Sequence, residues 1–184
     1  MALIRLLSEA SKMNLSKGGM NGVHETDILA LYDQYSNMVY RIALSYLHQS
    51  QDAEDVVQSV FLKLIDGTAH PEVEKERAFL TRITINACKD ALRSVWKRRT
   101  EPLDDAMVFE QDDDRELFHA VMALPLKYRI VVHLHYYEGY TFSEIAAFLK
   151  ISSSAVSMRI HRAKAVLKEN LREDGHEIQL QADI

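Results

Sequence analysis

The sequence predicts an all-α chain built as two small helical modules. No apolar–polar alternation of the strand kind persists anywhere along it. Only six Gly and three Pro interrupt its 184 residues. Apolar residues instead return every three or four positions in several separate stretches, the period of a half-buried helix. An apolar fraction of 47% is enough to fill the cores of one or two domains of this length.

Residues 1–23 carry Gly18, Gly19 and Gly22 among scattered Ser and Asn and read as a loose leader, with Met13 and Met20 as alternative starts. From Thr26 to His48 a helical pattern runs through Leu29, Tyr32, Val39, Ile42 and Leu47. Ser50 or Asp52 offers the next helix an N-cap, and acids from Asp52 to Asp55 suit its positive end. That helix reaches Ile65 and stops at Asp66-Gly67. Its buried side is Ala53, Val56, Val57, Val60 and Leu64, and its outer side Asp55, Gln58, Ser59 and Leu62. After a loop with His70-Pro71, a basic helix spans Lys75 to Arg98. It is expected to bury Leu80, Ile83, Ala87 and Ala91. Its other side presents Arg82, Ile85, Lys89, Arg93 and Trp96, with Asn86 and Arg98 alongside.

The acidic stretch 101–115 contains Pro102 and no sustained period, and reads as an extended linker. It separates a module at 24–100 from one at 116–172, with 173–184 as a tail. In the second module a helix from Arg115 ends near Leu124, and Pro125 opens another that stops at Glu138-Gly139. Thr141 and Glu144 form a capping box before TFSEIAAFL. A short break at KIS leads into a last helix, Ser153 to Leu171.

The formal net charge is −5, which by itself argues against a nucleic-acid binder. Position reverses that conclusion. Lys75 to Arg99 is net +6, Glu101 to Glu116 net −7, and Lys150 to Arg172 net +5. Two basic blocks split by an acidic one suggest two modules that each meet a polyanion. In the first block, cations with an interleaved Trp96 suit unstacked DNA, where cations follow phosphate and a ring stacks on a base. Trp96 as core filler is an equal alternative.

The segment TFSEIAAFLKISSSAVSMRIHRAKAVL has helix-turn-helix spacing. At 100° per residue Val156, Ile160, Ala163 and Leu167 share a side that can pack on Ile145, Ala146 and Leu149. Ser154, Met158, His161 and Ala165 lie opposite, flanked by Ser157 and Arg162, with Arg159 and Lys164 at the margins. Small, polar and cationic groups on that face can reach base edges and phosphates. Lys150 stands where many such turns use Gly. His133, His135 and Glu138 invite a metal site, but 133 and 135 point to different helix faces, so no metal and no cofactor is expected. A single Cys excludes a disulfide framework and points to a reducing compartment. No apolar run approaches the roughly 20 residues of a membrane span.

These parts, in this order, resemble an extracytoplasmic-function sigma factor of the bacterial sigma-70 family. LYDQYSNMVYRIALSYL resembles the family's opening helix, and DAEDVVQSVFLKLI its polymerase-binding helix. FLTRITINACKDALRSVWKRR is similar to the segment that melts and reads the promoter −10 element, and ALPLKYRIVVHLHYYEGYTFSEIAAFLKISSSAVSMRIHRAKAVLK to the domain that reads the −35 element. The resemblance implies a non-enzymatic, cytoplasmic promoter-specificity subunit. It would bind the β′ clamp helices and β flap of core RNA polymerase, promoter DNA and an anti-sigma factor. It places Asp55, Gln58, Phe61 and Leu62 on polymerase. Arg82, Asn86, Lys89, Arg93, Trp96 and Arg98 fall on the −10 strand. Ser154, Ser157, Met158, Arg159, His161, Arg162 and Lys164 fall on the −35 element. The loop from Gly67 to Glu74 corresponds to one that receives a flipped base, and the acidic linker to the segment threading the polymerase cleft. Departures include Ser59 for a frequent Glu, Phe79 for a common Trp, and Ser157-Met158 for a basic residue followed by Ser. Two other readings use the same residues. One is a free-standing regulator whose N-terminal half senses a ligand; the other is a small helical enzyme using His133, His135 and Glu144.

Overall fold

Apolar residues at three- and four-residue spacing commit the first half of the chain to three helices: α1 (Glu25–Leu47), α2 (Ser50–Ile65) and α3 (Glu76–Val95). The computed structural model describes residues 25–69, 75–95 and 112–173. Trp96, Arg98 and most of the acidic stretch therefore lie outside the described residues, as do the leader, the tail and loop positions 70–74. The chain divides into two compact units between Asp104 and Asp105.

In the first unit each of the three helices packs on the other two. Val39 and Ile42 of α1, Val60 and Phe61 of α2, and Leu80 and Ile85 of α3 are completely buried. Each such side chain stabilises the unit by about 1.5–3 kcal/mol relative to exposure. Helix α1 ends because His48 turns left-handed at φ 64° while its N–H still donates to the Leu44 carbonyl. The N-cap of α2 falls on Gln49, which makes no side-chain cap bond, rather than on Ser50 or Asp52; Asp52 sits in the first turn. The stop at Asp66-Gly67 is built by Gly67 at φ 71° and by the Asp66 carboxylate, which accepts from the Thr68 N–H (3.0 Å) and hydroxyl (2.7 Å).

The outward face expected of α3 is corrected in one respect. Ile85 is fully buried, while Ile83 and Ala91 are only half-buried, because Thr81 and Thr84 also belong to the core. The Thr84 hydroxyl donates to the Leu80 carbonyl at 2.7 Å, and that of Thr81 to the Met38 sulfur at 3.9 Å. With their polar atoms satisfied, both threonines pack as apolar residues, which rotates the buried arc of the helix.

The second unit holds α4 (Asp112–Ala123), α5 (Leu126–Val132), a π-helical turn (His133–Tyr137) that continues α5, α6 (Phe142–Leu149) and α7 (Ser153–Glu173). Helix α7 packs against α4, α5 and α6. Helix α4 starts three residues before Arg115, so Asp112, Asp113 and Asp114 lie in its first turn rather than in a linker. Pro125 is the N-cap of α5, and its carbonyl accepts from the Tyr128 and Arg129 N–H groups.

The capping box of α6 is formed as expected. The Glu144 N–H donates to the Thr141 hydroxyl at 3.4 Å and the Thr141 N–H to the Glu144 carboxylate at 2.8 Å. Helix α6 ends at Lys150, which is left-handed at φ 57° and ψ 48° although it carries a Cβ. Lys150→Gly is expected to stabilise the chain by about 0.5–1 kcal/mol, since glycine adopts this conformation without strain. A rise of about 2–6 °C in the melting of this unit, followed by circular dichroism, checks it.

Candidate nucleic-acid interface

Helix α7 presents the two faces read from its spacing. Val156, Ile160, Ala163 and Leu167 are buried, as are Ile145 and Ala146 of α6, while Leu149 is half-buried. Ser154, Ser157, Met158, His161, Arg162 and Ala165 are exposed, and Arg159 and Lys164 are half-buried at the margins. The start of α7 is held by Ser152, whose hydroxyl accepts from the Ala155 N–H at 3.1 Å and lies 2.9 Å from the Ser154 hydroxyl.

Neighbouring elements hold the cations of this surface, and the sequence alone showed none of this. The Arg162 side chain hydrogen-bonds the Tyr128 phenol of α5. That bond pulls the phenol below its ordinary pKa, and the nearby Lys127 charge adds to the effect. The Lys127 ammonium lies 4.9 Å over the Tyr128 ring, and that of Lys164 lies 5.5 Å over the ring of Tyr136. Three cations are thus arrayed beside aromatic rings, where a run of phosphates would meet them.

Beneath this surface, Arg129 is buried, with 4% exposure. Its Nη1 donates to the carbonyls of Met122 (2.7 Å) and Leu124 (2.9 Å), clasping the end of α4. Desolvation pulls the guanidinium down to about 10, so it stays charged at neutral pH. The sequence reading missed Arg129, because nothing in its local pattern separates a buried arginine from a surface one.

The π-helical turn carries His133 and His135, and Glu138, the third residue that suggested a metal, follows at its end. The Glu138 N–H donates to the His133 carbonyl, the five-residue spacing that widens the turn, and the Tyr140 N–H reaches the Leu134 carbonyl across left-handed Gly139, which closes the helix end. His133 is buried rather than partly exposed. Its ring stacks on Tyr137 at 5.3 Å, and its Nε2 lies 3.4 Å from the Glu138 carboxylate. His135 points elsewhere: its Nδ1 donates to the Tyr140 carbonyl at 2.8 Å. The two imidazoles do not converge. No group of three or more potential ligands able to hold a metal occurs among the described residues.

In the first unit, Arg82, Asn86 and Arg93 of α3 are exposed and Lys89 is half-buried, forming one stripe. Arg82 lies 5.5 Å over the Phe79 ring, and Arg93 pairs with Asp90 at 3.0 Å. Both partners of that pair are exposed, so it is worth little and yields readily to phosphate. On α2, Asp55 and Leu62 are exposed and Gln58 is half-buried. Phe61 is a correction: its side chain is fully buried, edge-on to Tyr32 at 4.9 Å, so it shapes the core and not the outer surface. The only cysteine, Cys88, is buried as well, and burial pushes its thiol up to about 12, leaving it inert at neutral pH.

A three-helix unit with a basic outer stripe, followed by a unit ending in helix, tight turn and polar-faced helix, defines a two-module all-helical protein of the nucleic-acid-binding class. Known proteins agree with that class. Residues 31–98 match the family model described as Sigma-70 region 2, and residues 114–167 the one described as Sigma-70, region 4. The chain is 30% identical over 161 residues to the ECF RNA polymerase sigma factor SigL of Mycobacterium tuberculosis, covering 79% of this chain and 89% of SigL. It is 28% identical over 160 residues to the ECF RNA polymerase sigma factor SigE of Mycolicibacterium smegmatis, covering 80% of this chain but 62% of SigE. Among solved structures it resembles the sigma factor RpoE in complex with the anti-sigma factor NepR from Bartonella quintana. That match has a TM-score of 0.57 at 19% identity, over 78% of this chain and 95% of that one. The chain belongs to the extracytoplasmic-function sigma factors of the sigma-70 family, proteins that direct promoter-specific initiation of transcription.

Proposed function

We propose that the chain acts as a promoter-recognition subunit of RNA polymerase, with a division of labour among three helices. The outer face of α2, with Asp55, Gln58 and Leu62, docks on the β′ clamp helices. The stripe Arg82, Asn86, Lys89 and Arg93 of α3, with Trp96 and Arg98 beyond it, handles the −10 strand. The outer face of α7 reads the −35 element, with Arg159, Arg162 and Lys164 on phosphate, while its unit rests on the β flap. The loop from Gly67 to Glu74 takes a flipped base, and the acidic stretch before α4 threads the polymerase cleft. The observation that carries this reading is the exposed polar and cationic face of α7, set opposite a buried apolar stripe. RNA synthesis belongs to the polymerase, so the chain needs no catalytic residues or cofactor. Its place is the cytoplasm. No helix among the described residues is long and apolar enough to cross a membrane. An anti-sigma factor that covers both DNA faces is the expected regulator; the structurally similar RpoE was solved in complex with an anti-sigma factor.

In vitro transcription with core polymerase on a promoter library tests the assignment. The chain is expected to direct initiation from a subset of promoters, and to bind duplex DNA weakly without core. Arg162→Ala should reduce −35-dependent initiation about tenfold, the scale of one lost charged contact, while core affinity survives. Asp55→Ala with Gln58→Ala should lower core affinity instead. Tight duplex binding by the free chain, with no response to core, would favour a free-standing regulator.

A further inference from the structure

The reading face of α7 contains a side chain that neither donates hydrogen bonds nor carries charge. Met158 is the most exposed large apolar side chain among the described residues, at 56%. It occupies the middle of the face, about 6 Å along the helix axis from Ser154 and about 4.5 Å from His161. Of its polar neighbours, the Ser154 hydroxyl lies beside that of Ser152 at the helix start, while Ser157, His161 and Arg162 are exposed around it. Among these polar groups the face thus sets one large apolar side chain, a thioether.

The chemistry of the major groove leaves such a side chain one favourable target. Guanine, cytosine and adenine offer only donors and acceptors there, whereas thymine offers a C5-methyl group. A thioether set against the cytosine amino group or the guanine oxygen would strip water from it and return at best a weak sulfur contact. Against a thymine methyl it buries apolar surface on both partners, and three rotatable bonds let it follow the methyl. Resting on the assignment of α7 to the −35 element, we infer that Met158 is a specificity-determining residue that imposes thymine at one position of that element through its C5-methyl group. A hydroxyl or a cation at this position would not distinguish thymine by its methyl. The Ser157-Met158 pair thus changes which base is preferred and leaves the phosphate grip in place.

The test uses the full chain assembled with core polymerase. A promoter library first defines the preferred −35 sequence. Each thymine of that element, on either strand, is then replaced by deoxyuridine, which removes only the methyl group. At one position the change is expected to reduce initiation about three- to fivefold with the native chain, the worth of one buried methyl. Met158→Ala should be indifferent to the same change, and Met158→Leu should retain most of the discrimination. Because Met158 is exposed on a helix, neither variant should alter helicity by circular dichroism. The inference is overturned if the native chain is indifferent to every replacement, or if Met158→Ala stays equally sensitive. It is also overturned if Met158→Ala lowers core affinity and leaves base preference intact, since Met158 would then face protein. Failure to initiate anywhere would remove the sigma assignment itself, a result distinct from initiation without methyl discrimination.

Discussion

Phe61→Ala is expected to remove a large part of the stability of the N-terminal unit, a larger effect than any surface change on the same helix. The ring is fully buried and meets Tyr32 of α1 edge-on at 4.9 Å, with an interplanar angle of 69°. Truncating such a side chain costs about 3–5 kcal/mol through lost transfer and the cavity left behind. A small domain has only about 5–15 kcal/mol in total. Leu62, one residue along, is 40% exposed, and Leu62→Ala should change stability by less than about 0.5 kcal/mol. The pair separates two ways of losing polymerase binding. Leu62→Ala should weaken core affinity in a chain that melts normally. Phe61→Ala should weaken it only because the unit is unfolded. Urea denaturation of the full chain, with amide exchange followed in α1, α2 and α3, decides between them. Native-like protection in Phe61→Ala alongside lost core affinity would restore Phe61 to the contact surface.

Arg129→Ala should be the corresponding lesion in the C-terminal unit. The substitution leaves the Met122 and Leu124 carbonyls without this donor inside the fold and opens the space of a long side chain. Two charge-assisted hydrogen bonds to buried acceptors, offset by relief from desolvating the cation, leave a net loss of roughly 3 kcal/mol. The guanidinium also sits at the C-terminal end of α4, where a positive charge offsets the partial negative charge of the last carbonyls. Arg129→Lys should recover only part of the loss, because the shorter lysine stem does not carry its ammonium to the point where Nη1 meets both carbonyls. Melting of α4 to α7, and initiation on promoters that do and do not depend on a −35 element, provide the measurements. The expected result is loss of −35 dependence with −10-directed initiation retained. Unchanged stability would show that the clasp is dispensable.

Both lesions fall on residues whose roles the sequence did not show correctly. Phe61 lies at the border of the apolar arc of α2, so helical spacing alone left its face ambiguous. Its burial is decided by Tyr32, a partner on another helix. Arg129 belongs to a charged type that is seldom buried, and only the approach of the α4 end turns it inward. The face of α3 was misread for a related reason. Thr81 and Thr84 count as polar in any sequence pattern, yet Thr84 satisfies its hydroxyl on the Leu80 carbonyl one turn back and Thr81 on the Met38 sulfur of α1, and both pack in the core, drawing Ile85 in with them.

What the sequence determined by itself is what short-range physics controls. The helical period, the capping box at Thr141 and Glu144, the stop at Asp66-Gly67 and the two-faced pattern of α7 depend on residues within a turn or two of one another. The all-α class, the order of the helices and the family follow from them. The tertiary structure decided everything that depends on a distant partner. It packed Phe61 edge-on to Tyr32, drew the Thr81 hydroxyl to the Met38 sulfur, brought Arg162 beside Tyr128 and buried Arg129 under the end of α4. The physical reason is that helix formation is largely specified along the chain, whereas burial and hydrogen-bond partnership are properties of the packed assembly.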